Sequence, residues 1–325
     1  MKEFSEHSYT KVQIAQVNEQ AAQGKSFFAA CERQYYQQLK QAISLCQGQR
    51  QLILLAGPSA SGKTTTAHKL AREIVQTGRK ALVVSLDDFY LDRDDIPLKL
   101  DGKPDLESVA ALDLGEMNRC FQELFSKGHA MFPRYDFPNS RRSDQWHEVR
   151  CSTGEILIVE GIHGLHPKIV ELMDASKILR LYVSVRTKYM DGEENGLIPK
   201  QLRLVRRMVR DKKFRNTSPA QTLNFWENVC AGEREYINPY RDTADFKIDS
   251  SMDYEPGVYR TLLTPFLREE LQMEQLQDVV YFDGIDHETH AELLRELLDD
   301  LSRFTPLSAA DIPADSVVRE FLGQP

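Results

Sequence analysis

The sequence lacks several features that would point to other classes of protein. No stretch of the 325 residues approaches the roughly 18 consecutive apolar residues of a membrane-spanning helix. The first ten residues, MKEFSEHSYT, contain no apolar core, so we expect no secretory signal. The formal net charge is −8, and this shortage of positive charge argues against a broad nucleic-acid-binding surface. We therefore expect a cytoplasmic protein that binds neither membrane nor nucleic acid.

Cysteine is also scarce and scattered. The five cysteines are odd in number and include no C-x-x-C pair, so we expect neither a zinc site nor a disulfide framework. We interpret them as small buried thiols in a reducing compartment. Hydrophobic residues make up 41% of the chain, which suffices for a real core in one large domain or two.

The stretch 52–65, LILLAGPSASGKTT, carries the strongest signal that is present. It begins as the short apolar run of a buried strand, breaks into the pattern G-x4-G-K-[ST], and leads into a helical pattern over 65–75. Strand, glycine-rich loop and helix in this order indicate a phosphate-binding loop. A Gly/Ser-rich turn in another α/β protein is the alternative, and the complete order of elements favours the nucleotide site.

The chemistry of the loop explains its residue types. Its glycines let backbone N–H groups turn toward phosphate oxygens, and the following helix adds the positive end of its dipole. Lys63 is expected to reach the β- and γ-phosphates, and the Thr64 hydroxyl to hold Mg²⁺. The residues that we predict to contact the nucleotide are Gly57, Pro58, Ser59, Ala60, Ser61, Gly62, Lys63, Thr64 and Thr65. The loop predicts a bound triphosphate but does not name a reaction.

Two further predicted strands end in acidic residues. The strand over 80–86 leads into Asp87 and Asp88, and the strand over 155–160 ends at Glu160. Ligands bind outside the carboxyl ends of the strands in open α/β sheets. An acid that faces a phosphate loop is also a usual second ligand of Mg²⁺. We therefore predict functional roles for these acids, with capping of nearby loops as the alternative.

A helix predicted over 197–214 combines an apolar face with a cluster of arginines. Arginine suits bidentate contact with phosphate and the stabilisation of a transferring phosphoryl group. We interpret the region 190–235 as a catalytic lid rather than a plain surface helix. The arginines are Arg203, Arg206, Arg207 and Arg210, with Arg215 just beyond the predicted helix.

Two other local patterns leave their interpretation open. The aromatic-rich loop 132–138 fits either a hydrophobic plug or a surface that stacks on a base or sugar. His163 and His166 follow the third strand, and local hydrogen bonding explains them more simply than a metal does.

The remaining patterns set the expected organisation. Residues 1–48 are predicted to be a helical extension. Residues 49–250 are predicted to form an α/β core of P-loop NTPase type, a parallel sheet with helices on both faces and the arginine-bearing lid. Residues 251–325 are predicted to be a mainly helical extension with a short strand at 279–282. One role that we consider for this extension is contact between copies of the chain in a homo-oligomer.

Together, five blocks in their order resemble the uridine kinase (uridine–cytidine kinase) family of P-loop kinases. They are GPSASGKTT, SLDDFY, FPRYDF, ILIVEG, and RLVRRMVRD…R followed by ADFKI, spread over about 51–248. The segment from RMVRDKKFR to NFWENVCAGEREYINPY looks more like a bacterial nucleoside-kinase subgroup. The resemblance implies transfer of the γ-phosphoryl group of ATP, with Mg²⁺, to the 5′-hydroxyl of a ribonucleoside such as uridine or cytidine.

The resemblance also implies roles for individual residues. Asp87 matches the aspartate that accepts the proton from the nucleoside 5′-hydroxyl. The implied Mg²⁺ ligands are Thr64, Asp87 and Glu160. The implied substrate contacts are Tyr90, Asp105 (with Asp101 as the competing match), Tyr135, Phe137 and Arg207. The implied lid arginines are Arg207, Arg210 and Arg215.

Three positions depart from the family pattern. No histidine follows Phe137, Thr217 stands where the second arginine of the lid pattern is expected, and a glutamine expected on the next helix falls near Phe225. These departures concern substrate recognition and the lid. The missing histidine keeps open a related kinase acting on pantothenate, a sugar or a phosphorylated sugar. An alternative of another class is a nucleotide-binding regulatory module that binds ATP as a switch with little turnover.

Overall fold

The apolar runs of the sequence become the strands of a central sheet. The computed structural model describes residues 9–48, 50–99, 102–137, 139–272 and 287–323. Its α-helices are α1 (Ile14–Ala21), α2 (Lys25–Ser44), α3 (Lys63–Gln76), α4 (Leu114–Lys127), α5 (Pro167–Val170), α6 (Pro199–Arg215), α7 (Pro219–Gly232), α8 (Glu255–Gln272), α9 (His287–Ser302) and α10 (Arg319–Leu322). Its β-strands are β1 (Thr10–Gln13), β2 (Leu52–Ala56), β3 (Ala81–Ser85), β4 (His129–Phe132), β5 (Tyr135–Asp136), β6 (Arg141–Arg142), β7 (His147–Arg150), β8 (Ile156–Glu160), β9 (Ile178–Ser184), β10 (Thr187–Asp191), β11 (Glu194–Asn195) and β12 (Phe246–Asp249).

The central sheet has the strand order β12-β9-β2-β8-β3, and every neighbouring pair is parallel. The predicted parallel sheet is therefore confirmed. The sequence also predicts an edge-like strand over residues 244–248, and β12 lies at one edge of the sheet. Strand β2 lies at the centre with β8 on one side and β9 on the other. Since parallel strands end at the same edge of a sheet, the residues after β2, β3 and β8 meet there.

Both faces of the sheet are covered, which explains why its strands are apolar at nearly every position. Along β2, Ile53 and Leu55 face one hydrophobic cluster, while Leu54 and Ala56 face the other. The first cluster contains residues of α2, α3, α6, α8 and α9 together with the C-terminal segment. The second contains residues of α4, α5, β4 and β7. The helical segments at both ends of the chain thus share a hydrophobic cluster with the sheet.

The N-terminal extension is not wholly helical. Residues Thr10–Gln13 form β1, which pairs in parallel with β10, and β11 completes a small three-stranded sheet. The pattern TKVQ gives little signal for a strand because its partner lies far along the chain at Thr187–Met190. The prediction of an uninterrupted helical segment was wrong at this point, while α1 and α2 occupy most of the rest.

Three other predicted boundaries need comment. The aromatic-rich loop 132–138 begins at the end of β4 and contains β5, so part of it is paired strand. The sequence also predicts a helix over residues 216–240. In the structure α7 ends at Gly232, and a π-helical segment (Glu233–Ile237) and a 3₁₀ helix (Asn238–Thr243) follow it. The strand predicted at 279–282 lies outside the described residues.

Within the described ranges, no helix has the length and apolarity needed to cross a membrane.

Helix α6 differs from an ordinary charged surface helix, because two of its arginines are buried. Arg206 is fully buried and donates two hydrogen bonds to Glu255, at 2.8 and 2.7 Å from Nε and Nη2 to the carboxylate oxygens. Arg203 pairs in the same bidentate way with Glu233, at 2.6 and 2.7 Å. Each buried cation needs such a partner, so these pairs fix α6 against α8 and the end of α7.

We expect Glu255→Gln to lower the free energy of unfolding by about 3 kcal/mol or more, because it leaves the Arg206 guanidinium buried without its counter-charge. Denaturant unfolding of both proteins measures this difference. Glu116→Gln is the matched control, since it removes the carboxylate of an ion pair whose arginine, Arg119, is half exposed. The control should cost less than about 1 kcal/mol. Equal losses in the two variants would contradict the assignment of Arg206 and Glu255 as a buried pair.

A buried histidine follows β8. His163 is 2% exposed, and burial, aided by the nearby His166, lowers the pKa of His163 to about 3. An unfolded histidine titrates near a pH of about 6.5. The unfolded chain therefore binds a proton that the folded chain does not, and the stability is lost progressively as the pH falls from that value toward 3.

We expect His163→Gln to reduce this loss of stability between neutral and mildly acidic pH. Urea unfolding at pH 7.5 and pH 5 gives the pH-dependent difference for each protein, whatever the absolute stability of the variant. His129→Gln is the control, because His129 is exposed and its removal should leave the difference unchanged. If the stability difference between pH 7.5 and pH 5 in His163→Gln equals that of wild type, groups other than His163 cause it.

Candidate active site

The phosphate loop joins the buried strand β2 to helix α3, as its sequence predicts. Gly57 lies so close to β9 that an added Cβ would be 2.1 Å from the Val183 carbonyl oxygen. Gly62 has a φ of +83°, in the left-handed region, and directly precedes α3. Only glycine meets these two demands without strain, so the loop can curl tightly around the first turn of α3.

The polar groups of the loop lie close to one another. The Lys63 ammonium donates a hydrogen bond to the Pro58 carbonyl oxygen at 3.2 Å, so the side chain folds back over the loop. The Thr65 backbone N–H donates to Glu320 Oε2 of the C-terminal segment at 3.0 Å. The Ser61 side chain is fully buried inside the loop. The loop therefore presents a cation and the N-terminus of a 14-residue helix to the same space.

Glu160 at the end of β8 contacts residues from two neighbouring elements. Its Oε1 accepts hydrogen bonds from Thr64 Oγ1 at 3.2 Å and from Ser85 Oγ at 2.8 Å. Its burial, followed by the negative charge of Asp87, raises the pKa of the Glu160 carboxyl, and the Lys63 charge opposes this rise. The hydroxyl and carboxylate oxygens that meet here are of the kind that Mg²⁺ prefers.

Asp87 and Asp88 lie in a 3₁₀ turn directly after β3. The Ser85 hydroxyl accepts a hydrogen bond from the Asp87 N–H at 3.3 Å, so Ser85 links this turn to Glu160. Burial and the neighbouring Asp88 raise the pKa of Asp87, against the lowering effect of Lys63. Asp88 faces away and accepts a weak bond from the Tyr135 N–H at 3.4 Å. The geometry therefore separates the two acids, with Asp87 beside the lysine and Asp88 beside the aromatic loop.

Three aromatic rings cluster next to this turn. The ring centroids of Tyr90 and Tyr135 are 5.6 Å apart, and those of Tyr135 and Phe137 are 4.9 Å apart. Phe137 is 54% exposed, so it is not a plug of the hydrophobic core. Phe132 of the same block is fully buried and belongs to the second hydrophobic cluster. The block thus divides into a buried anchor and an accessible aromatic surface.

Asp105 lies in the long loop between the turn after β3 and helix α4. This loop covers the edge of the sheet and is called the covering loop. Its Oδ2 accepts a hydrogen bond from the Tyr236 hydroxyl at 2.7 Å, and Lys99 lies 3.7 Å from its Oδ1. The carboxylate is 8% exposed and already has two partners, so in this state it ties the covering loop to the region after α7. Its competitor Asp101 lies outside the described residues.

The lid arginines are held in different ways. Arg207 Nη1 donates to the Ser59 hydroxyl at 3.1 Å, so this guanidinium already contacts the phosphate loop. Arg207 Nε also lies 3.4 Å from Oδ2 of the buried Asp211. Arg210 and Arg215 lie 3.0 and 3.4 Å from Asp211 Oδ1, and Arg215 is largely exposed. Of the predicted lid arginines, only Arg207 reaches the loop in this structure.

Two contacts that sequence patterns did not reveal complete the attachment of α6. Arg203 Nη1 donates to the Ser59 carbonyl oxygen at 3.0 Å, and Arg206 Nη1 donates to the Ala60 carbonyl oxygen at 3.2 Å. Periodicity could not separate these two structural arginines from Arg207, because their acidic partners come from distant parts of the chain.

The structure also brings in acidic and basic residues that the sequence analysis missed. Glu107 faces Arg207 and Lys63, and burial raises the pKa of Glu107 to about 7 despite these positive charges. His147 of β7 faces Asp88, and burial lowers the pKa of His147. Neither belongs to a recognisable motif, and only the sheet topology places them at this edge.

Within the described ranges, no group of three or more His, Cys, Asp or Glu side chains is arranged to hold a metal ion. His166 instead caps the short helix α5, with its Nδ1 accepting a hydrogen bond from the Lys168 N–H at 3.2 Å.

Two curated proteins with sequences similar to this chain are uridine kinases. The uridine kinase of Lactobacillus helveticus is 29% identical over 209 residues, which cover 64% of this chain and 90% of that protein. The uridine kinase of Staphylococcus haemolyticus is 28% identical over 199 residues, with 61% and 86% coverage.

Solved structures that align with part of this chain were also found. A possible uridine kinase from Bacillus stearothermophilus aligns at 17% identity with a TM-score of 0.43, covering 65% of this chain and 95% of that one. Phosphoribulokinase from Rhodobacter spheroides aligns at 20% identity with a TM-score of 0.42, covering 61% and 69%.

A family profile matches more of the chain than the phosphate loop and the sheet edge alone. The profile described as "Phosphoribulokinase / Uridine kinase family" matches residues 52–255, which span every strand of the central sheet, the covering loop and α6. The chain therefore belongs to the phosphoribulokinase/uridine kinase family of P-loop kinases, phosphotransferases that act on a hydroxyl group.

Proposed function

We propose that this kinase transfers the γ-phosphoryl group of ATP to the 5′-hydroxyl of a ribonucleoside, with uridine and cytidine as the first candidates. The observation that carries the proposal is the meeting of Asp87, Lys63 and Glu160 at the edge of the sheet, where Ser85 links the Asp87 turn to Glu160 and the Lys63 charge lowers the pKa of both carboxyls against their burial. A base, a phosphate-binding cation and a metal-binding carboxylate are the groups that phosphoryl transfer to an alcohol requires.

The donor end is supported by the phosphate loop. Lys63 and the loop amides bind and orient the triphosphate. Thr64 and Glu160 would hold Mg²⁺. Asp87 could also contribute to the ion site, because its charge acts on Glu160. The ion supplies neutralisation of the phosphate charge when it is bound. The raised pKa of both carboxyls, caused first by burial and then by neighbouring negative charge, is consistent with this role, because a bound cation would favour their ionised form.

Asp87 performs the acceptor chemistry in this proposal. Its carboxylate takes the proton from the acceptor hydroxyl as the new oxygen–phosphorus bond forms and the bond to the leaving ADP breaks. Burial and Asp88 raise the pKa of Asp87, which makes it a stronger base than an exposed aspartate. The Lys63 charge opposes this rise.

The acceptor itself is assigned to the accessible aromatic surface of Tyr90, Tyr135 and Phe137. Flat rings at these spacings stack well on a base or a sugar face. Asp105 would serve the sugar hydroxyls once Tyr236 or Lys99 releases it. The names of the curated relatives, uridine kinase, support a nucleoside in this position.

Closure of the lid is part of the same proposal. Arg207 is set to stabilise the transferred group, because it already lies on the phosphate loop. Arg210 and Arg215 would have to leave Asp211 to join it, and a triphosphate offers the stronger negative charge. Closing the lid would also exclude water as a competing acceptor.

A second candidate acceptor class rests on the missing histidine after Phe137. Pantothenate, a sugar or a phosphorylated sugar would use the same donor machinery and Asp87.

The deciding experiment is Mg²⁺-dependent release of ADP from ATP with a panel of acceptors: uridine, cytidine, purine nucleosides, pantothenate and several sugars. We expect turnover with uridine or cytidine to exceed turnover with every other acceptor. Turnover only with pantothenate or a sugar would support kinase activity but would replace the nucleoside as the acceptor. ATP binding without turnover on any acceptor would favour a nucleotide-binding regulatory module.

We expect Asp87→Asn to lower kcat by about 10² or more while the Kd for ATP stays nearly unchanged, because the variant loses a base but keeps the phosphate loop. Steady-state kinetics and calorimetric titration with ATP measure the two quantities. Asp94→Asn is the matched control, since Asp94 is an exposed aspartate of the covering loop. An unaltered kcat in Asp87→Asn would exclude this residue as the base.

A further inference from the structure

The C-terminal segment 313–323 lies against the phosphate loop. A Cβ built on Gly62 would be 2.4 Å from Val317 Cγ2, so the valine fills the space that the glycine leaves open. Ser316, Val317 and Val318 are fully buried, which makes this segment an integral part of the site wall. Its contact with the loop is therefore a feature of the fold that lies beyond the family-matched residues 52–255.

One side chain of this segment reaches the nucleotide-binding groups directly. Glu320 Oε2 accepts the hydrogen bond of the Thr65 backbone N–H, at 3.0 Å, in the first turn of α3. Free N–H groups at this end of the helix form the anion site of a phosphate loop. The chain's own carboxylate thus occupies a donor group that a phosphate oxygen would need.

The electrostatics agree with this placement. The charge of Glu320 is among those that raise the pKa of Glu160, so the two carboxylates share the space around the loop. A third negative group, the donor phosphate, would be repelled by both. Binding of the donor therefore requires that Glu320 move or that its charge be offset.

The backbone that carries Glu320 is well fastened, while Glu320 itself is only half buried. The fully buried Phe321 ring lies 5.0 Å from the Arg206 guanidinium carbon, and Lys213 donates a hydrogen bond to the Leu322 carbonyl oxygen. Asp315 pairs with Lys69 at 3.4 Å. The Glu320 side chain can therefore turn away without displacement of the segment.

We propose that residues 313–323 form a wall of the donor site and that the Glu320 carboxylate acts there as an internal competitor of a donor phosphate group. This inference rests on the proposed function, because it assumes that a triphosphate binds the loop. It assigns to Glu320 a part in setting the affinity for the donor: the carboxylate holds the Thr65 amide until a polyphosphate replaces it.

The test compares full-length wild type, Glu320→Gln and Glu320→Ala by calorimetric titration with MgATP and with inorganic tripolyphosphate. Both variants should bind both ligands about tenfold more tightly, because a charge-assisted hydrogen bond and a like-charge repulsion no longer oppose binding. Adenosine, which has no phosphate, should gain nothing in either variant.

Asp315→Asn is the matched control. It removes a carboxylate from the same segment, but one that contacts Lys69 and Tyr36 rather than the phosphate loop. Its affinity for MgATP should equal that of wild type. A similar gain in Asp315→Asn would assign the effect to general charge or loosening of the segment and would overturn the proposal.

A Lys63→Ala variant separates this inference from the proposed function. Loss of ATP binding in Lys63→Ala with clear binding by wild type establishes the donor site by itself. Equal or weaker ATP binding in Glu320→Gln and Glu320→Ala would then overturn the role of Glu320 alone. If wild type and every variant fail to bind ATP and tripolyphosphate, the proposed donor site and this inference fail together.

Discussion

Two buried guanidinium groups hold the candidate active site together. Arg203 joins the Ser59 carbonyl oxygen to Glu233, and Arg206 joins the Ala60 carbonyl oxygen to Glu255. A buried arginine needs partners for its N–H donors and for its charge. These contacts therefore fix the phosphate loop, α6, the residue after α7 and the start of α8 relative to one another. Arg207 comes directly after Arg206 on the same helix, and this arrangement brings it to the Ser59 hydroxyl.

Local patterns predicted the sheet and the phosphate loop well, because a parallel sheet covered on both faces needs apolar residues at nearly every strand position. The acids at the strand ends could also be predicted as site residues, because parallel topology brings Asp87 and Glu160 to one edge of the sheet. Strand β1 was not, because its polar sequence pairs with residues more than 170 positions away. Arg206 could not be told from Arg207 either, because a helix pattern does not reveal that Glu255 will be buried beside it.

Around Lys63 and Arg207 the site places four carboxyl groups, an excess of acidic groups before any ligand binds. Asp87, Glu160, Glu107 and Glu320 all lie within electrostatic reach of Lys63 or of one another, and burial raises the pKa of the first three. Such an excess is costly for the isolated protein and is relieved by a bound cation. The phosphate loop alone would attract a bare polyphosphate, whereas these acids favour one that arrives with its metal. This gives the proposed use of Mg²⁺ a physical basis in the residues of the chain.

The two ends of the chain meet at α3, the helix that follows the phosphate loop. From the N-terminal side, the Tyr35 hydroxyl is 2.6 Å from Thr66 Oγ1, and the buried Lys69 lies 3.6 Å from Glu32. From the C-terminal side, Asp315 reaches the same lysine, and the Tyr254 hydroxyl joins Glu32 to Ser316. Helix α3 must hold its first turn steady if its N–H groups are to bind phosphate. Contacts from both extensions converge on that helix, so both extensions help to hold it in place beside the sheet.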